Sequence, residues 1–179
     1  MNTAQSLQNR VRNTLVSYPD FPKPGILFKD LSPLLLNPEL MEEVIGHMAH
    51  QWVPLPDIVL GIESRGFILA VLLAQTIKKP FVMARKAGKL PGEVLSQSYQ
   101  LEYNQSILEI QKGVFKKDQR VLIVDDVLAT GGTAAAAAGL VKKSGAQIVG
   151  FQFLLTLENL KGLNLLCTFN APINELIRY

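Results

Sequence analysis

The chain has 179 residues, 48% of them hydrophobic and 18% charged, a globular composition and the length of one ordinary domain. Lysine and arginine exceed aspartate and glutamate by 18 − 15 = 3 charges, too few for a sequence-independent nucleic-acid binder but suited to a small anionic ligand. The single cysteine, Cys167, excludes an intramolecular disulfide framework and a cysteine-based zinc cluster, and it is expected in the core. The opening MNTAQSLQNR lacks the charged-then-apolar order of a signal peptide, and no apolar run is long enough to span a bilayer. The expectation is a soluble cytoplasmic protein with no nucleic-acid and no membrane partner.

Leu7, Val11 and Leu15 recur every four residues within 3–17, one stripe of an amphipathic helix. Pro19, Pro22, Pro24 and Gly25 then break the chain into a constrained loop. Asn37 before Pro38 reads as an N-cap followed by proline at the first helical position. The helix beyond turns Leu40, Val44, Ile45 and Met48 inward, and Pro54 and Pro56 end it. His47 and His50 lie on it without a third metal ligand nearby, so they are expected at the surface or facing a partner.

A repeating order follows. Residues 58–62 (IVLGI) predict a buried strand, then a polar turn and an apolar helix from Gly66 to about Ile77. Residues 80–84 predict a second strand, 121–124 a third with a helix over about 133–143 after it, and 148–155 a fourth. Strands alternating with helices imply a parallel sheet covered on both faces. The polar segment from Arg85 to about Ile110 carries Gly88, Pro91 and Gly92 and then alternates in polarity. It predicts a long mobile loop ending in a β-hairpin, with a turn near Asn104.

The segment 121–133, VLIVDDVLATGGT, is an apolar strand, two carboxylates, a small-residue turn and the start of a helix whose body is the alanine run 134–138. Ligands bind beyond the carboxyl ends of strands in open α/β sheets, and a helix N-terminus favours an anion there. Gly131 and Gly132 allow close backbone approach, and Thr130 and Thr133 add hydroxyls. No Lys-Ser/Thr pair follows the glycines, so this is not a nucleoside-triphosphate loop. Asp125 and Asp126 would repel a phosphate unless they face something else, and vicinal sugar hydroxyls fit that role. The inferred ligand is a sugar phosphate with free hydroxyls.

This segment resembles the phosphoribosyl-pyrophosphate (PRPP) signature of the type I phosphoribosyltransferases. From about Pro19 to Gly162 the chain is similar to the adenine-using branch of that family. Four further motifs carry the likeness: Phe21-Pro-Lys-Pro-Gly-Ile-Leu-Phe-Lys-Asp30, Gly61-Ile-Glu-Ser-Arg-Gly66, Arg85-Lys-Ala-Gly-Lys-Leu-Pro-Gly92 and Leu101-Glu-Tyr103. The resemblance implies a single α/β domain over 1–179 with a Rossmann-like parallel sheet flanked by helices. It adds a small base-binding hood over about 1–36 and a flexible β-hairpin flap over about 85–110.

The implied reaction joins adenine N9 to the ribose C1 of PRPP and gives AMP and pyrophosphate, through an oxocarbenium-like transition state. By the same resemblance Asp125 and Asp126 hold the ribose hydroxyls, and Ala129, Thr130, Gly131, Gly132 and Thr133 hold the 5′-phosphate. Glu63, Ser64 and Arg65 form a second anion site, with a non-proline cis peptide expected at Glu63–Ser64. Arg85, Lys86 and Lys89 of the flap, with Tyr103, meet the pyrophosphate. Glu102 is the acid–base residue. Leu27, Phe28 and Lys29 select adenine by a carbonyl for N6, a stacking ring and an amide for N1, and Leu157 covers the opposite face. Magnesium enters as the PRPP complex, the substrate supplying most of its ligands, with no dedicated protein metal site. A homodimer is implied. Two alternatives stay open on the residues: a 6-oxopurine enzyme, using the Lys29 side chain as a donor, and a PRPP-binding regulator without catalysis.

Overall fold

The computed structural model describes residues 3–21, 23–25, 27–100 and 105–179. The chain divides into two compact units, Met1–His50 and Gln51–Tyr179.

In the first unit, α1 (Thr3–Thr14) buries Leu7 and Val11, and Leu15 just past its end is buried as well, so the four-residue spacing marks an inward stripe. Strands β1 (Val16–Tyr18) and β2 (Phe28–Asp30) pair antiparallel, Ser17 opposite Lys29. Three-residue strands carry no readable period, which is why sequence showed only the loop between them. In that loop Gly25 is left-handed at φ 84°, and its N–H donates to Asp20 Oδ1 at 2.7 Å. A one-turn α2 (Ser32–Leu35) leads to α3 (Pro38–His50). The predicted cap forms, the Leu40 N–H donating to Asn37 Oδ1 at 3.1 Å, and Leu40, Val44, Ile45 and Met48 are buried. The helix ends at His50, ahead of Pro54; His47 is half-buried and His50 exposed.

The second unit is a seven-stranded sheet. Its elements are β3 (Ile58–Ile62), α4 (Gly66–Thr76), β4 (Phe81–Lys86), β5 (Val94–Gln100), β6 (Gln105–Gln111), β7 (Arg120–Leu128), α5 (Gly132–Lys143), β8 (Gln147–Thr156), a 3₁₀ turn (Glu158–Leu160), α6 (Gly162–Cys167) and β9 (Ile173–Arg178). The strand order is β5-β6-β4-β3-β7-β8-β9, with the run β4-β3-β7-β8-β9 parallel. All five residues of β3 are buried, as expected of a parallel strand between two helical layers. The β3-α4-β4 crossover moves one way along the sheet and β7-α5-β8 the other. Both being right-handed, α4 and α5 fall on opposite faces, and β3 and β7 meet where the order reverses. The alanines of α5 let it pack closely: Ala136, Ala137 and Ala138 are buried with Phe151, Phe153 and Ile123.

Three expectations change, and two elements are added. Strand β7 runs on through both aspartates to Leu128, because β8 pairs with it that far: Asp125 is opposite Phe153 and Leu128 opposite Thr156. The 85–110 segment is mostly strand. Arg85 and Lys86 end β4, and β5 pairs with β6 over seven residues, joining the sheet through β4. The turn expected near Asn104 lies outside the described residues. The C-terminal α6 and β9, which sequence left unassigned, complete the sheet edge, and Cys167 on α6 is exposed rather than in the core. Among the described residues no helix is long and apolar enough to cross a membrane.

Candidate active site

The loops after β3 and β7 open side by side, since Gly61 and Val124 are partners in the sheet. After β7, Gly131 takes φ 81° and opens α5, the Ala135 N–H closing the first turn on the Gly131 carbonyl at 2.8 Å. The first amides of a helix have no intrahelical partner, so they present donors to an anion. A cavity of about 60 Å³ lies there, lined by Asp125, Val127 and the run 128–134. It is a compact cradle with donors on one wall and a carboxylate on another.

The cradle loop rests on Gly162. A Cβ at that position would stand 2.2 Å from the Ala129 carbonyl oxygen and 3.0 Å from the Gly131 nitrogen. Bare backbone at Gly162 is therefore what allows the loop to sit where it does.

The two aspartates follow one another near the end of β7, and their carboxyl groups interact with each other beside the Arg65–Gly66 turn. Asp125 faces the cradle, and its Oδ1 accepts the Asp126 N–H at 2.9 Å. A Cβ on Gly66 would stand 2.5 Å from the same oxygen, so the glycine that starts α4 makes room for this carboxylate. Burial, together with the neighbouring Asp126 charge, pushes the Asp125 carboxyl well above the usual range. Asp126 is buried and forms an ion pair with Arg65, Nε to Oδ2 at 2.7 Å. Arg65, expected at the pyrophosphate, thus spends one nitrogen on Asp126.

The turn after β3 contains the expected cis peptide, Glu63–Ser64. The Glu63 side chain is surrounded by donors from the end of β4 and the turn after it. Its Oε1 lies 2.6 Å from Lys89 Nζ and 3.5 Å from Arg85 Nη2, and its Oε2 accepts the Lys86 N–H at 2.8 Å. Arg85 Nη1 donates to the Lys89 carbonyl at 3.0 Å. Arg85, Lys86 and Lys89 are thus brought together as expected, with Glu63 in their midst. Ser64 is exposed.

Among the residues expected at the base, Phe28 is half-buried in β2 and meets Phe21 edge-on, ring centroids 5.1 Å apart. Leu27 is exposed, and Lys29 Nζ donates one of its three hydrogens to Ser17 Oγ at 2.8 Å. The Leu157 N–H donates to the Leu128 carbonyl at 2.9 Å, tying the end of β8 to the cradle strand. Glu102 and Tyr103 lie outside the described residues.

The phosphoribosyl transferase domain model matches residues 35–161. An adenine phosphoribosyltransferase of Nitrosopumilus maritimus is 47% identical over 170 residues, 94% of this chain and 99% of its own. The crystal structure of the Rhodothermus marinus adenine phosphoribosyltransferase superposes with a TM-score of 0.92 at 40% identity, covering 98% of this chain and 99% of that one. That of the Saccharomyces cerevisiae enzyme, complexed with an imino-altritol bisphosphate and adenine, gives 0.89 at 39% identity over 96% and 99%. The chain belongs to the adenine phosphoribosyltransferases.

Several residues that build this phosphoribosyltransferase site escaped the sequence. Val127 and Leu128 wall the cradle, and Gly162 carries its floor. Glu109 accepts from the Gly88 N–H at 3.0 Å and from the Ser96 hydroxyl at 3.1 Å, fastening the turn after β4 to the hairpin. Only Gly162 left a trace, a glycine opening a helix, and nothing local linked it to Ala129.

Proposed function

We propose that this chain transfers the phosphoribosyl group of PRPP to adenine, forming the N9–C1 bond, breaking the C1–pyrophosphate bond and yielding AMP and pyrophosphate. The observation that carries it is the cradle opening α5 with the Asp125 carboxylate on its wall, beside a cluster of cations at the end of β4. The cradle amides and the hydroxyls of Thr130 and Thr133 take the 5′-phosphate. Asp125 and Asp126 take the ribose hydroxyls and favour positive charge developing on the ring. Arg85, Lys86, Lys89 and Arg65 balance the charge gathering on the leaving pyrophosphate. The Glu63–Ser64 turn contributes backbone to that site, since the Glu63 side chain is occupied by cations.

Phe28 stacks on the purine, the Leu27 carbonyl and Lys29 amide read its amino edge, and Leu157 closes the other face. Glu102 receives the N9 proton, and Tyr103 bonds the pyrophosphate. Magnesium is read as part of the substrate. PRPP supplies most of the ion's oxygen ligands, and no dedicated protein cage is assigned to it. A cytoplasmic enzyme without a disulfide accords with the lone, exposed Cys167.

A homodimer is part of the proposal. Ile68, Val71 and Leu72 lie three and four residues apart on α4 and are each 39% exposed, an apolar stripe suited to a second copy.

The deciding experiment incubates the protein with PRPP, magnesium and adenine, hypoxanthine or guanine and follows pyrophosphate release. Release with adenine alone is expected; preference for a 6-oxopurine overturns the base assignment, and no release with any purine overturns catalysis. Glu102→Leu should lower turnover far more than it weakens PRPP binding, measured by calorimetry.

A further inference from the structure

The cations assigned to the leaving pyrophosphate already hold an anion that belongs to the chain. Glu63 Oε1 faces Lys89 Nζ at 2.6 Å and Arg85 Nη2 at 3.5 Å, while Oε2 takes the Lys86 N–H at 2.8 Å. Two cations and a backbone amide around paired oxygens are the donor set that a phosphate group takes. The layering is also suggestive of exchange. The Glu63 side chain is 8% exposed, whereas Arg85 is 31% and Lys89 47% exposed, so the cations stand between the carboxylate and solvent.

We propose that the Glu63 carboxylate is an internal competitor for pyrophosphate, holding Lys89 in this structure and yielding it when the diphosphate group of PRPP or the pyrophosphate product binds. This rests on the pyrophosphate assignment above. The exchange is confined to Lys89. Arg85 is tied by Nη1 to the Lys89 carbonyl, whereas the lysine ammonium is a point charge on a flexible stem that can swing outward. The turn itself stays in place, because Glu109 holds the Gly88 N–H independently. Burial works against ionising Glu63, but the hydrogen bonds from Lys89 and the Lys86 amide and the nearby charges prevail, so the competitor is an anion at neutral pH. The consequence is weaker retention of pyrophosphate and easier product release.

The test is calorimetric titration of magnesium pyrophosphate into wild type, Glu63→Asp and Glu63→Gln. Asp keeps the charge but falls one methylene short of Lys89. Both variants are expected to bind about two- to five-fold more tightly than wild type, the range of a partly exposed ion pair. Weaker binding in both would make Glu63 a scaffold for the cations and overturn the proposal. Tightening in Gln alone would reduce the effect to long-range charge, and no change in either would leave no competition; both overturn it. In a Lys89→Met background the Glu63→Gln effect should vanish, and its persistence would also overturn the proposal. Failure of wild type to bind pyrophosphate at all would instead remove the assignment on which the competition rests.

Discussion

Asp125 combines two demands that conflict. The fold half-buries it and sets it against Asp126, and the proposed chemistry wants its oxygens ionised against sugar hydroxyls. Its carboxyl is held above the usual range, so the stability it contributes is present at low pH and lost as pH rises through its folded pKa. At neutral pH Asp125→Asn should therefore raise the melting temperature, and the gain should disappear as pH falls below the ordinary aspartate range near about 3.9. The same variant should lose turnover by about ten- to a hundred-fold, the range of a hydrogen bond to a charged group. Calorimetric melts across pH, with steady-state rates, check both. Gly162 is the second sensitive position. A Cβ there meets the Ala129 carbonyl at 2.2 Å, so Gly162→Ala must push the cradle loop. Overpacking of this kind costs about 1–3 kcal/mol. The expected result is a KM for PRPP that rises more than kcat falls.

Elements are joined here by carboxylates as much as by apolar packing. The turn after β4 is fastened from two sides, by Glu63 from the β3 loop and by Glu109 from β6. Strand β5 is likewise laid along α5: Lys143 Nζ donates to the Ser96 carbonyl at 2.9 Å, and the Gln97 side chain covers Gly139. The described part of the flap is therefore an anchored hairpin, with Tyr99 buried. Glu63 titrates below the ordinary glutamate range, so its stabilising contribution is present above that range and lost as pH falls through its depressed pKa. Thermal melts between about pH 3 and 5, bracketing the ordinary glutamate value near about 4.3, should show a shallower acid limb for Glu63→Gln than for wild type.

At the scale of the molecule, α4 is apolar on nearly every side, as befits a helix covered on more than one face. Its inner residues Leu69, Ala70, Leu73 and Ala74 are buried, while Ile68, Val71 and Leu72 remain open. In the proposed homodimer, placing a charge there, as in Leu72→Glu, should shift the sedimentation coefficient from dimer to monomer while the melting transition stays cooperative. A variant that stays dimeric would overturn the assignment of this stripe, and a monomeric wild type would overturn the dimer itself.

The four strands β3, β4, β7 and β8 and the main helices were legible because their causes are local. Apolar runs, the Asn37–Pro38 cap and the glycines after β7 each act within a few residues, and the acid pair followed by small residues spells out the cradle in one continuous segment. What required the folded chain was every relation between distant segments: Gly162 beneath Ala129, Gly66 beside Asp125, Glu63 among the cations of β4 and the continuation of β7 through both aspartates. These follow from strand order and register, which bring residues from separate loops within contact distance. No window along the chain contains that information, because it resides in which neighbour each strand acquires.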